Sequence, residues 1–412
     1  MRHGGQILID QLKIQGVERV FCIPGESYLP ALDGLYGSGI ETVVGRQEGG
    51  VAMMAEASGK LTGRPGVAFV TRGPGATNAS AGIHIAFQDS TPMVLFIGQV
   101  DSSQRDREAF QEVDYKKMFT PLAKWVAEID KTERIPEYVS RAFSVAVSGR
   151  PGPVILSLPE DILFAKSNVI DAPKIKPLRQ MISEIDVKEI ITKLKNASNP
   201  FIIVGGSGWS LEASKSLGKF AKSLGIPVGT SFRCQDYLNN YHPNYVGDVG
   251  IGINPELLKR IKMADCILVL NARLGEMTTG GYSMFDIPKT KQYLIHIHPD
   301  PNELGSVYQP DIGLVCNSAD FIQKAAEISK DSQRKPPIKE RKSYEAWQKV
   351  ITTPGDVKME IVIKELSKTI SEKTIITNGA GNYNGWLHRY FKYRGWRTQV
   401  GSTSGSMGYG LP

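Results

Sequence analysis

Glu48 is a carboxylate set among small and apolar residues, in the run Gly45-Arg46-Gln47-Glu48-Gly49-Gly50-Val51-Ala52-Met53-Met54-Ala55-Glu56. Val51, Met54, Ala55 and Ser58 recur at helical spacing, which predicts a helix beginning near Glu48, after the short apolar strand Thr42-Val43-Val44. An acid there can simply favour the helix dipole, worth about 0.3 to 1 kcal/mol. Shielded from water, it can instead hold and pass a proton, because desolvation favours the neutral carboxyl. Further along, Val67-Ala68-Phe69-Val70 reads as a buried strand and runs into Thr71-Arg72-Gly73-Pro74-Gly75-Ala76-Thr77-Asn78, a glycine-rich turn entering a second helix. Backbone N–H groups of such a turn can approach a ligand closely, although tight packing in α/β proteins uses the same turn.

Other chemistry-bearing residues carry weaker patterns. His84 sits in the apolar helical run Ala81-Gly82-Ile83-His84-Ile85-Ala86-Phe87, the pattern of a satisfied core histidine. His296 and His298 alternate along a strand end before Pro299-Asp300-Pro301. Gly205-Gly206-Ser207-Gly208 follows an apolar strand and suits either a dinucleotide or close strand-to-helix packing. Cys22, Cys234, Cys266 and Cys316 are far apart, with no Cys-x-x-Cys spacing, so reduced structural thiols are expected.

The elements that must position these residues alternate between strand and helix. Val20-Phe21-Cys22-Ile23, Thr42-Val43-Val44, Val67-Ala68-Phe69-Val70, Met93-Val94-Leu95-Phe96-Ile97 and Val154-Ile155-Leu156-Ser157 are short apolar strands separated by amphipathic stretches. That order predicts an α/β fold whose parallel sheet is covered on both faces, with ligands at the C-terminal strand ends. A first domain over 1–165 is followed by a polar linker to about 184. A Rossmann-like middle domain over 185–330 has strands at Phe201-Ile202-Ile203-Val204, Ile226-Pro227-Val228, Cys266-Ile267-Leu268-Val269-Leu270 and Tyr293-Leu294-Ile295-His296-Ile297. A second linker, 330–354, leads to the start of a third domain, 355–412, with a helix from Met359 to Ile370, a strand Thr374-Ile375-Ile376-Thr377 and the turn Asn378-Gly379-Ala380-Gly381-Asn382. So few elements are expected to be too little to close a core.

With 412 residues, 41% apolar and 22% charged, the composition is that of an ordinary globular protein. No apolar run reaches the about 18 residues of a membrane span, and Met1-Arg2-His3-Gly4-Gly5-Gln6 lacks a signal-peptide core, so a cytoplasmic protein is expected. The net charge of +7 gathers in Lys174-Ile175-Lys176 and Arg334 to Lys342, which lack interleaved aromatics. These runs are expected to be solvated surface, with no nucleic-acid partner and no membrane.

The two segments around Glu48 and Gly73, with Phe21-Cys22-Ile23-Pro24-Gly25 ahead and Gln88-Asp89-Ser90-Thr91-Pro92-Met93-Val94 behind, resemble thiamine diphosphate enzymes of the acetolactate synthase and pyruvate oxidase type. The likeness continues through Gly149-Arg150-Pro151-Gly152-Pro153-Val154, Leu158-Pro159-Glu160-Asp161 and Gly405-Ser406-Met407-Gly408-Tyr409-Gly410-Leu411-Pro412, in order along the chain. It implies a pyrimidine-binding first domain, a middle domain and a truncated diphosphate-binding domain. Thiamine diphosphate is an electron sink for 2-oxo acid chemistry. By the resemblance, Glu48 hydrogen-bonds the aminopyrimidine and promotes its imino tautomer, and Gly73 and Asn78 also bind the cofactor. Met407 wedges between the two cofactor rings, the Gly405 carbonyl accepts from the amino group, and Gly381 and Asn382 lie near the diphosphate, where relatives more often carry Asp-x-Gly-x-His. A Gly-Asp-Gly motif and a later Asn hold Mg²⁺ in the family; they are expected beyond Pro412, so this chain alone is expected to be inactive, and none of its residues is assigned to metal. The cofactor lies between subunits, which implies a homodimer or homotetramer, with Glu48 of one chain facing Met407 of another.

For the reaction, Phe110-Gln111-Glu112 and Lys124 resemble the acetolactate synthase pattern in which an aromatic, an amide and a lysine line the substrate approach, favouring decarboxylation of a 2-oxo acid with carboligation. Glu26, after Pro24-Gly25, departs from the usual glycine and suits a non-carboligating 2-oxo acid or acyl-CoA decarboxylase. The family's FAD run reads Asn271-Ala272-Arg273-Leu274-Gly275-Glu276-Met277-Thr278, which keeps Arg273 and loses much else, so FAD is in question. A non-catalytic nucleotide-binding or assembly subunit is the alternative from another class.

Overall fold

The computed structural model describes residues 1–178, 180–329 and 334–412. Residues 1–178 and 180–410 fall into separate compact units. In the first, β1 (Arg2–His3) pairs with β8 (Lys166–Ser167), and six parallel strands follow the order β3-β2-β4-β5-β7-β6. They are β2 (Arg19–Cys22), β3 (Glu41–Val44), β4 (Gly66–Val70), β5 (Met93–Gln99), β6 (Trp125–Glu128) and β7 (Pro153–Pro159). Every position of β4, β5 and β7 is buried, because alternate residues serve two cores. Val67, Phe69, Val94 and Phe96 pack on one face, and Ala68, Val70, Leu95 and Ile97 on the other.

Two helices on the second face carry the residues of interest. Glu48–Thr62 starts at Glu48, with the Gln47 side chain accepting from Gly50 N, and stops at Gly63 in the left-handed region. Pro74–Asp89 starts after Gly73. They pack almost backbone to backbone: a Cβ on Gly82 would lie 2.4 Å from that of Ala52. At their far ends Lys60 lies 3.2 Å from Glu56 and 2.5 Å from Asp89, both carboxylates being almost fully buried.

The second unit has six parallel strands in the order β11-β10-β9-β12-β13-β14: β9 (Phe201–Val204), β10 (Val228–Ser231), β11 (Tyr245–Val249), β12 (Cys266–Leu270), β13 (Tyr293–His298) and β14 (Ile312–Val315). Its two faces are again fed by alternation, Ile202, Leu268 and Ile295 on one and Ile203, Val269 and Leu294 on the other. The same unit includes the short parallel pair β15 (Ile376–Asn378) and β16 (Gln399–Gly401). A small cluster of Leu387, Phe391 and Tyr393, backed by Ile363, Ile370 and Ile376, lies among these last elements.

Several expectations are corrected. The stretch taken as a second linker contains the helix Ile338–Trp347, with Tyr344 buried; residues 330–333 of that stretch lie outside the described residues. Its basic residues are not merely solvated. Arg341 donates to the carbonyls of Asn240, His242 and Tyr245 at 2.8 to 3.1 Å, and Arg334 donates to those of Leu194, Lys195, Ala197 and Leu224. His84 is exposed, on the solvent side of Pro74–Asp89 with Asn78 and Ala81, because Ile83, Ile85 and Ala86 take the buried positions. No helix among the described residues is long and apolar enough to cross a membrane.

Candidate active site

Glu48 stands where β3 turns into its helix. Gly45 N donates to the Cys22 carbonyl, closing the ladder with β2, and a Cβ on Gly45 would collide with Val51 at 2.4 Å. The chain therefore turns sharply and presents Glu48 in the first helical turn. Asn78, one turn into the neighbouring helix, donates to Glu48 Oε2 at 3.0 Å. A Cβ on Gly75 would stand 3.5 Å from Glu48 Oε1, so glycine keeps the approach to the carboxylate open. Within this chain the Glu48 side chain is half-buried and not enclosed.

Gly73 follows β4 with φ 62° and ψ −114°, a conformation closed to residues bearing a Cβ. A side chain would also meet Gln111, 2.7 Å from its Cβ. Gly73 N donates to Tyr115 Oη at 2.8 Å, and burial pushes the Tyr115 hydroxyl up to about 12, keeping it neutral. Ser27 ties the loop after β2 to this turn: its Oγ lies 2.8 Å from Thr71 Oγ1 and accepts from Arg72 N. Glu26, just before Ser27, is exposed and begins a short 3-10 turn. Gly73, Gln111 and the loop bearing Glu26 thus meet at one end of the sheet, the C-terminal end at which Glu48 also stands.

The Gln111 loop is shaped by Glu112, which accepts from Asp106 N at 2.8 Å, Ala109 N at 3.1 Å and Arg105 Nη1 at 2.9 Å. Those bonds, the one from Asp106 first, hold the Glu112 carboxyl below the usual carboxylate range. Gln111 itself has φ 65°, and Phe110 is exposed. Lys124 does not join them. It precedes β6, at the opposite end of the sheet, and its ammonium donates to the carbonyls of Val145 and Ser148 at the C-terminus of the helix Ile135–Val147. Sequence reasoning missed Ser27, Tyr115 and Arg105; Ser27, a hydroxyl residue just past Pro24-Gly25, was the readable signal among them.

In the second unit, β15 ends in the turn Gly379-Ala380-Gly381-Asn382. The Gly379 carbonyl accepts from Asn384 Nδ2 at 2.8 Å, Asn378 Nδ2 at 3.0 Å and Arg233 Nη2 at 3.2 Å, so three side chains fix the turn. Gly381 has φ 139°, and Asn382 is exposed beside it. Past β16, Gly405 and Gly408 both have positive φ, with open space where a Cβ would point, and between them Met407 is 82% exposed. Core filler is therefore not its role. His296 donates through Nε2 to the Ala272 carbonyl at 3.1 Å, and burial lowers it to about 4. Arg273 pairs with Glu303 at 3.1 Å.

These residues fit a bound thiamine diphosphate in each unit separately. The first offers an acid with an amide partner beside glycines that leave it accessible, and the second offers a fixed glycine turn and a projecting apolar side chain. Residues 2–118 match the thiamine pyrophosphate enzyme N-terminal TPP-binding domain, and residues 187–325 match the central domain of the same enzymes. The chain is 30% identical to the probable acetolactate synthase large subunit of Methanocaldococcus jannaschii, over 99% of this chain and 72% of that protein. It is 30% identical to the acetolactate synthase large subunit of Corynebacterium glutamicum, over 99% of this chain and 67% of the relative. Against acetolactate synthase isozyme 3 large subunit of Escherichia coli the identity is 29%, over 100% of this chain and 74% of the relative. The chain belongs to the thiamine pyrophosphate enzymes, in the family of acetolactate synthase large subunits.

Proposed function

We propose that this protein decarboxylates a 2-oxo acid and joins the remaining fragment to a second 2-oxo acid, as an acetolactate synthase does. The observation that carries the reading is Glu48 at a helix start, its carboxylate engaged by Asn78 and left open on the Gly75 side. Thiamine diphosphate, when bound, supplies the electron sink for the bond broken as carbon dioxide leaves. Glu48 holds and returns a proton at a ring nitrogen, and Asn78 fixes the carboxylate that does so. Gly73 gives close backbone approach, and Gln111 faces the substrate. Met407 and the Gly405 carbonyl, contributed by a partner copy, hold the cofactor's rings; Gly381 and Asn382 lie along its diphosphate. The assembly is a homodimer or homotetramer working in the cytoplasm. Magnesium enters as the diphosphate's counter-ion, with no residue of this chain assigned to it. FAD is left out, since the run keeps Arg273 but loses much else of the flavin pattern, and Arg273 is paired with Glu303.

The test is Glu48→Gln in the holoenzyme with pyruvate as substrate. Turnover should fall by about 100-fold or more, the range for loss of a positioned acid–base group, with the fold intact; an unchanged rate removes Glu48 from the chemistry. Glu26, exposed on the same rim, favours a second reading, decarboxylation without carboligation. Glu26→Gly should then shift product from aldehyde toward acetolactate, and an unchanged ratio rejects that reading. A non-catalytic assembly subunit would bind neither thiamine diphosphate nor Mg²⁺, which titration calorimetry of the holoprotein's components would reveal.

A further inference from the structure

Arg233 carries a guanidinium into the interior of the second unit, where the residue is only 7% exposed. It lies in the segment after β10, with φ 65°, and its Nη2 donates to the Gly379 carbonyl at 3.2 Å, in the turn after β15. Glycine makes room for it. A Cβ on Gly401, at the end of β16, would stand 2.7 Å from Arg233 Nη1 and 2.7 Å from Asn378 Oδ1. A buried charge costs far more than a buried amide, so a neutral donor would serve a purely structural bond better. The same segment is in fact docked by other groups. Gln235 N donates to Gln399 Oε1 at 2.7 Å, Gln399 Nε2 to Gln235 Oε1 at 3.2 Å and Gln235 Nε2 to the His388 carbonyl at 2.8 Å. Asp236 Oδ2 accepts from Thr398 N and Gln399 N, and Asn240 and Tyr393 exchange two bonds of 2.9 Å.

The peptide that Arg233 touches accounts for the charge. The Gly379 carbonyl and the Ala380 N–H belong to one peptide unit, and in a trans peptide the two point in opposite directions. With the carbonyl held by Arg233, Asn378 and Asn384, the Ala380 N–H is directed away from those three side chains. The N–H groups of Ala380, Gly381 and Asn382 donate to no described residue; Ala380 is half-buried, and Gly381 and Asn382 are exposed. A cationic donor on the carbonyl polarises the peptide and strengthens its N–H toward an anion. Two titratable groups lie in the field of Arg233: Asp248, raised by burial and drawn back by Arg233, and His388, lowered by burial and then by Arg233. Neither bonds to the Gly379 carbonyl, whose one charged partner among the described residues is Arg233.

We propose that Arg233 is a positioning residue for cofactor binding: it holds and polarises the peptide between Gly379 and Ala380, so that the glycine turn offers oriented N–H groups to a diphosphate. The assignment rests on the thiamine diphosphate reading above. It gives the Rossmann-like part of the chain a share in cofactor affinity through a residue that need not touch the cofactor.

Calorimetric titration of the apo-protein with thiamine diphosphate, magnesium present, tests the assignment on the unaltered protein, Arg233→Met and Gln399→Ala. Arg233→Met should raise the Kd by about tenfold or more, the range for a lost hydrogen bond from a charged group, and leave kcat at saturating cofactor within about twofold. Gln399→Ala breaks docking bonds of the same segment and keeps the donors to the turn; it should lower the unfolding midpoint and leave the Kd unchanged. If Arg233→Met fails to fold, Gly401→Ala takes its place, since its methyl crowds the guanidinium while keeping the charge, and the Kd should rise likewise. An unchanged Kd in the folded variant overturns the proposal alone, as does an equal loss of affinity in Gln399→Ala, which would make Arg233 one docking contact among several. An unaltered protein that takes up no thiamine diphosphate overturns the reading on which the proposal rests, and the proposal with it.

Discussion

The amide of Asn78 donates to the carboxylate of Glu48 across two helices whose backbones touch through Gly82 and Ala52. Neither residue contributes to a core, and together they join the starts of both helices. Asn78→Ala should therefore leave unfolding free energy within about 0.5 kcal/mol. It should lower kcat of the holoenzyme by about tenfold or more, as loss of a supporting hydrogen bond to an active group does. Stopped assays and denaturant titration on the same preparation separate the two, and an unaltered kcat would show that Glu48 orients itself.

Gly73 combines a backbone conformation closed to other residues with contact to Gln111. Gly73→Ala is expected to cost about 2 kcal/mol or more and to push the Gln111 loop aside. Denaturation midpoints compared with Gly37→Ala, a positive-φ glycine in open space, isolate the crowding.

Lys60 lies between two buried carboxylates, Glu56 and Asp89. Lys60→Ala removes the cation and should destabilise the first unit by about 3 kcal/mol, whereas an exposed pair such as Lys188–Glu184 should change stability by less than about 0.5 kcal/mol. Equal effects from the two would refute the difference in burial.

Asp248 is pushed up to about 8 by burial, against the pull of Arg233, and His388 is pushed down to about 3 by burial, with Arg233 adding to it. Asp248 contributes most below its unfolded value and loses that contribution as pH rises to about 8. His388 acts oppositely, losing stability as pH falls from its unfolded value of about 6.5 toward 3. The two offset each other in mild acid, leaving only Asp248 between about pH 6.5 and 8. Asp248→Asn should therefore gain on the unaltered chain across that window, by about 1 kcal/mol per pH unit. Urea titrations at three pH values measure the difference, and a flat one rejects the shift.

Met407, exposed on a loop with no core contact, offers a final contrast. Met407→Ala should leave the melting temperature unchanged while weakening thiamine diphosphate binding. A fall in stability with unaltered cofactor affinity would contradict its assignment.

Strands with continuous apolar runs were legible, because burial on both faces leaves no polar gaps, and so was the helix beginning at Glu48. β6, β11 and β14 escaped notice for two reasons. β6 and β14 are half-solvated edge strands, and β11, at the other edge, is interrupted by Gly247 and Asp248. The helix Ile338–Trp347 was hidden in a charged stretch whose arginines turn inward to carbonyls. Lys124 was misplaced because sequence proximity to Gln111 does not reveal that the chain crosses to the other end of the sheet. The bonds among Ser27, Thr71, Arg72, Gly73 and Tyr115 join positions up to 45 residues apart, and single-residue patterns do not record such pairings.

β3 lies at the edge of its sheet, mostly exposed, with Glu41 opposite Arg19 and Val44 opposite Cys22. It adds little to the core, yet it alone delivers the acid. A slip of one residue along β2 would turn every side chain of β3 to the other face and carry Glu48 away from Asn78. Proofreading of that alignment falls to the ionic contact at one end, Arg19 with Glu41, and to the Gly45–Cys22 bond at the other. A mostly exposed edge strand is thus the one whose alignment the chemistry can least tolerate losing.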